Sequence, residues 1–137
     1  MTSPAEFFDT YCGAVASLDP SALLDLYAED ARVFDAMVPD EYADREEWAG
    51  MVNDWFGGLS SGSAQARDVE VVESDDLAVL NGHMTYAGVL TDGEEVEIEC
   101  RITLVLERIG EDDWRIVHEH NSVPIDMDDE AGDASED

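Results

Sequence analysis

Residues 95–108, EVEIECRITLVLER, alternate apolar and polar side chains almost without a break. Successive side chains of a strand point to opposite faces. Val96, Ile98, Cys100, Ile102, Leu104 and Leu106 therefore share one greasy face, and Glu97, Glu99, Arg101, Thr103 and Val105 share the other. A run of this length demands partner strands, and its apolar face needs a cover. The partners are at hand. RDVEVVES and LAVLNGHMTYAGVL precede it with the same alternation, and WRIVHEHNSV follows it. TDGE and IGEDD supply turns between them, which predicts an antiparallel meander.

The first half of the chain supplies the cover. In SPAEFFDTYCGAVASLD, a Ser-Pro start is followed by Phe8, Tyr11, Cys12, Val15 and Leu18 at helical spacing. DPSALLDLYAED reads as a second short helix opened by Asp19-Pro20, and ARVFDAMV as a short strand. DREEWAGMVNDWFGGL reads as a third helix with Trp48, Met51, Val52 and Trp55 on one stripe, ended by Gly57-Gly58. SSGSAQ reads as a loop. Helices first and a meander afterwards predict an α+β fold, with helices on one face of the sheet.

With 137 residues, one domain is expected at 1–125. Residues 126–137, DMDDEAGDASED, are expected to form an acidic disordered tail, because they hold too little apolar surface to bury. The acid is not confined there. Of 35 Asp and Glu, seven lie in 126–137 and 28 lie before it, against six Arg and no Lys. A field of that sign repels phosphate backbones and anionic lipid, so neither nucleic acid nor membrane is an expected partner. No apolar run is long enough for a bilayer, and a cytoplasmic protein is expected. Cys12 and Cys100 have no CxxC or zinc-ligand spacing and read as buried reduced thiols. His83, His118 and His120 form no spaced motif, so no metal and no cofactor is expected.

DLYAEDARVFDAMVP, together with the closing WRIVHEHNSVP, resembles the SnoaL-like, ketosteroid-isomerase-like superfamily, which has the nuclear transport factor two fold. The resemblance spans about residues 5–125. It implies a cone, in which three N-terminal helices pack on a strongly curved, mainly antiparallel sheet and leave an internal pocket. It also implies a homodimer formed through the sheet. Members isomerise steroids, cyclise polyketides, dehydrate small molecules or hydrolyse epoxides. Others bind ligands or assemble into rings, like the association domain of calcium/calmodulin-dependent kinase, whose ending resembles IVHEHNS here.

The resemblance carries over residue by residue. Asp35 matches the family's general-base aspartate, which needs a carboxylate in a mostly apolar pocket; the plainer alternative is an exposed Asp at a strand end. Tyr11, 24 residues earlier, matches the oxyanion tyrosine, or it is simply core. The isomerases' protonated strand aspartate has no counterpart in CRITLVLE, where Arg101 and Thr103 stand instead. An Arg there suggests a carboxylate ligand, or an ion pair with Glu119 or Asp35. Matching the last strand turns Val117, Glu119 and Asn121 to the cavity, with His118 and His120 behind the sheet. A slip of one residue would reverse that. His83 is expected on the cavity side as a hydrogen-bonding group, or as a core imidazole. Trp48 and Trp55 are expected to line the helical wall. Two readings follow. One is an isomerase, cyclase or lyase that uses Asp35 for proton transfer beside a carbonyl of a small hydrophobic ligand. The other is a non-catalytic ligand-binding or assembly domain.

Overall fold

In the computed structural model, residues 3–36, 41–111 and 113–124 are described. The chain folds as three α-helices over one open, six-stranded mixed sheet, an α+β cone. A 3-10 turn at Pro4–Glu6 leads into α1, Phe7–Ser17. Its buried residues Phe7, Phe8, Tyr11, Ala14 and Val15 fall on one helical stripe. The helix stops at Leu18, which takes a left-handed conformation (φ 56°). Helix α2 is only Pro20–Leu24, with the Asp19 carboxylate accepting from Ser21 N–H at 3.0 Å. The expectation that this helix runs on through LYAED is corrected. Strand β1 already begins there and spans Tyr27–Phe34, because Tyr27, Ala31 and Val33 are needed in the core.

After the short β2 (Glu41–Tyr42), α3 spans Arg45–Gly57. Asp44 caps it by accepting from Glu47 N–H at 3.0 Å, while Glu47 accepts from Ala43 N–H at 2.9 Å. This reciprocal arrangement satisfies two otherwise orphaned donors. Trp48, Val52 and Phe56 are its buried face.

The long strands are β3 (Leu59–Glu73), β4 (Leu77–Leu90), β5 (Glu95–Gly110) and β6 (Asp113–Ser122). Sheet order is β2-β1-β6-β5-β4-β3, with β1 and β6 parallel and every other pair antiparallel. The expected loop SSGSAQ is corrected: it is the start of β3, paired with β4 from Ser61↔Val89 onward. Small residues suit that place, because a Cβ on Gly88 would lie 2.8 Å from Ser61 O.

Helices α1 and α3 pack on the sheet's concave face, against β3 and β1 respectively. The core between them includes Leu23, Leu80, Met84, Ile102, Leu104, Leu106 and Ile116. Cys100 is buried and Cys12 half-buried; both are free thiols, with Cys12 Sγ 3.8 Å from Met84 Sδ. Among the described residues, no helix is long and apolar enough to cross a membrane. The expected tail from 126 lies outside the described residues.

Candidate functional site

The core is incomplete at one end. A hollow of about 250 Å³ remains there, lined by Tyr11, Asp35, Ala36, Trp48, Met51, Trp55, Tyr86, Ile98, Cys100, Glu119 and Asn121. Tyr11 comes from α1, the two tryptophans and Met51 from α3, Asp35 and Ala36 from just past the end of β1, and the rest from β4, β5 and β6.

Asp35 lies just past the last residue of β1 and lines the hollow half-buried. On the neighbouring strand β6, Glu119 pairs in register with Val33 of β1 and is fully buried. Tyr27 donates its hydroxyl to Glu119 Oε1 at 2.5 Å, and Asn121 Nδ2 donates to Oε2 at 2.7 Å. Burial pushes the Glu119 carboxyl up from 4.5 to about 7; the two hydrogen bonds oppose the rise and the charge of Asp35 adds to it. Two coupled carboxyl groups therefore face one apolar space.

The same hollow is lined by a phenol pair. The Tyr11 and Tyr86 hydroxyl oxygens are 2.7 Å apart, and the Tyr86 ring stands edge-on to Trp55, with centroids 5.5 Å apart. Burial holds the Tyr11, Tyr27 and Tyr86 phenols well above their ordinary value, and the negative charge of Glu119 adds to each rise. They stay protonated at neutral pH. One proton of the Tyr11–Tyr86 pair is used between the two oxygens, which leaves the other O–H available to a ligand. Burial likewise pushes the Cys100 thiol up to about 11, so it is a wall and not a nucleophile.

The last strand reaches the cavity by a device its sequence does not show. Strand β6 pairs Leu104↔Glu119 and Val105↔His118, but Leu106↔Ile116. Val117 is thus an extra residue, a bulge that shifts the alternation by one. As a result Trp114 and Ile116 are buried on the same face as Glu119 and Asn121. Val117, expected to face the cavity, does not line it. His118 and His120 lie on the other face, where both rings meet the Phe34 ring edge-on at 5.1 and 5.4 Å. His118 Nδ1 is 3.0 Å from Arg32 O.

Tyr11, Asp35, Trp48, Trp55, Glu119 and Asn121 come together in the hollow, but His83, Arg101 and Thr103 do not. The expectation that His83 lies on the cavity side is corrected, and Arg101 and Thr103 lie outside the hollow with it. His83 pairs with Arg101 in register, next to the inward-facing Met84–Cys100 pair, so alternation sends both outward. With Thr103 they border a shallow depression on the outer face. Arg101 is exposed and donates to Ser122 Oγ at 3.2 Å. Tyr27 and Tyr86 were not among the expected site residues. The parity of Ala78, Leu80 and Met84 would have turned Tyr86 inward; Tyr27 was hidden by reading LYAED as helix.

Among the described residues, no three His, Cys, Asp or Glu side chains are grouped to hold a metal ion. The comparison with curated proteins returns no match. A structure from Xanthomonas campestris, provisionally named a calcium/calmodulin dependent protein kinase II association domain, is 25% identical, covers 89% of this chain and 86% of its own, and superposes with a TM-score of 0.79. A nuclear transport factor 2 superfamily protein from Salmonella enterica is 19% identical over 89% of each chain, with a TM-score of 0.78. A protein from Parabacteroides distasonis, provisionally named a ketosteroid isomerase, is 22% identical over 90% of this chain and 89% of its own, with a TM-score of 0.70. The last two share the fold alone. The model of the SnoaL-like domain matches residues 5–126, almost the whole described chain, and the protein belongs to that family.

Proposed function

We propose that the chain binds a small hydrophobic molecule bearing a carbonyl group and moves a proton beside that carbonyl. The observation that carries this reading is the meeting of Asp35, Glu119 and the Tyr11–Tyr86 pair in one apolar hollow of about 250 Å³. The ligand carbonyl accepts the free phenol O–H. Asp35 removes a proton from the adjacent carbon, and the negative charge moves onto the carbonyl oxygen. The phenols stabilise that oxygen, which has little water to do so. Return of the proton to another carbon gives isomerisation; departure of a leaving group gives elimination. Glu119, with its affinity for protons near neutrality, serves as companion carboxyl to Asp35. A SnoaL-like isomerase, cyclase or lyase fits this arrangement.

The test needs no knowledge of the natural substrate. Exchange of the α-protons of 2-tetralone in D₂O is followed by NMR, with wild type and Asp35→Asn. Wild type is expected to exceed buffer, and the variant to fall roughly 10²–10⁴-fold, the usual weight of a positioned base. Exchange at the buffer rate, or exchange untouched by Asp35→Asn, would remove the catalytic reading.

Similarity to the Xanthomonas association domain favours a second reading, a non-catalytic ligand-binding or assembly domain. Under it, ligands bind without exchange. Both readings include a homodimer through the outer face of the sheet, and a cytoplasmic location in keeping with the two free thiols.

A further inference from the structure

We infer that the cavity selects an uncharged, ring-containing ligand that bears a hydroxyl or amide N–H group, and that it holds this donor at Asn121 Oδ1. The inference rests on the functional reading above and narrows it to a ligand class.

Asn121 is 7% exposed and lines the hollow. Its Nδ2 donates to Glu119 Oε2 at 2.7 Å. Above about pH 7, where Glu119 is ionised, its oxygens accept and do not donate, so this bond decides which way round the amide sits. Oδ1 is thereby turned from Glu119, and it is buried with no hydrogen-bond partner among the described residues. Buried amide oxygens are nearly always paired. The partner this one lacks is an O–H or N–H supplied from within the cavity.

Charge narrows the class further. Asp35 and Glu119 both line the hollow, and among the described residues the lining includes no Arg and no His. Arg101, whose sequence position suggested a carboxylate ligand, is bound to Ser122 on the opposite face. An anion in the hollow would meet two carboxyl groups in a poorly screened space, with no Arg or His among the described lining residues to attract it. The rings of Trp48, Trp55 and Tyr86 suit a flat apolar body between the polar ends.

Naphthalene, 2-naphthol and 2-naphthoate share one ring system and differ in the group presented. Their dissociation constants for the full chain are measured at pH 8 by NMR titration, with wild type and Asn121→Leu. Wild type is expected to bind 2-naphthol at least tenfold more tightly than either other probe. In Asn121→Leu, with its fold checked by circular dichroism, the preference for 2-naphthol over naphthalene is expected to fall below threefold. The inference is overturned if 2-naphthoate binds as well as 2-naphthol, if naphthalene does, or if none of the three binds. These wild-type comparisons decide the matter even where the leucine variant fails to fold. They are equilibrium measurements on molecules that do not react. A tightly bound naphthoate would therefore sink the ligand class and leave the 2-tetralone result standing, and the reverse holds as well.

Discussion

The position of Glu119 carries a cost for the fold. Its carboxyl loses all contact with water, and the bonds from Tyr27 and Asn121 do not fully offset that loss, so its pKa stands at about 7 instead of 4.5. The folded chain thus keeps a proton on Glu119 over a range in which the unfolded chain has released it. Below about 4.5 both states are protonated and the penalty vanishes. Between 4.5 and 7 it grows with pH, to roughly 3 kcal/mol above the folded pKa. Urea unfolding from pH 4 to 8 is expected to show wild type losing roughly that much relative to Glu119→Gln, which keeps the shape and cannot ionise. Two curves that run parallel across the range would show that Glu119 carries no such burden. The same burden makes functional sense: a carboxyl titrating near neutrality both takes and gives protons readily.

Among the elements, β6 and β4 set the site. The extra residue at Val117 brings Glu119 and Asn121 to the face already held by Trp114 and Ile116. Strand β4 approaches β3 so closely at Gly88 that a Cβ there would lie 2.8 Å from Ser61 O and 2.9 Å from Leu59 Cδ2. Gly88→Ala is therefore expected to lower unfolding free energy by about 1–3 kcal/mol, the usual cost of overfilling a packed site. An unchanged urea midpoint would show that the strands part freely. The legible and illegible parts of the chain divide along these lines. The strand alternation of 95–108 and the stripe from Phe8 to Val15 are legible because burial imposes periods of 2 and 3.6 on the residues. From those, helices covering one face of a sheet and the inward Tyr11 follow; the α3 stripe turns its tryptophans inward, and the cone is what the family resemblance implies. The bulge is not legible, since VHEHN contains no Gly or Pro to mark it. The outward turn of His83 and Arg101 is legible only when the parity is anchored on Met84 and Cys100. The strand at SSGSAQ is hidden because small polar residues signal a loop, whereas here they permit close backbone approach.

Across the whole molecule, like charges crowd one another. A formal net charge of −29 on 137 residues repels itself most in the compact state. Surface pairs such as Arg67–Glu99 at 2.8 Å and Arg115–Asp113 at 2.6 Å relieve it only locally. The melting temperature is expected to rise by several degrees between low salt and 1 M NaCl, where screening acts within about 3 Å. Sucrose of equal osmolality controls for exclusion effects; a rise no greater than in sucrose would mean self-repulsion is minor. The sheet order has a temporal corollary as well. Strand β6, last in the chain among the described strands, is laid between β1 and β5 near the middle of the sheet. Until β6 is made, β1 and β5 have no strand between them and Asp35 and Glu119 cannot meet, so a shorter nascent chain leaves apolar strand faces uncovered and depends on its own acidity to stay apart from its neighbours.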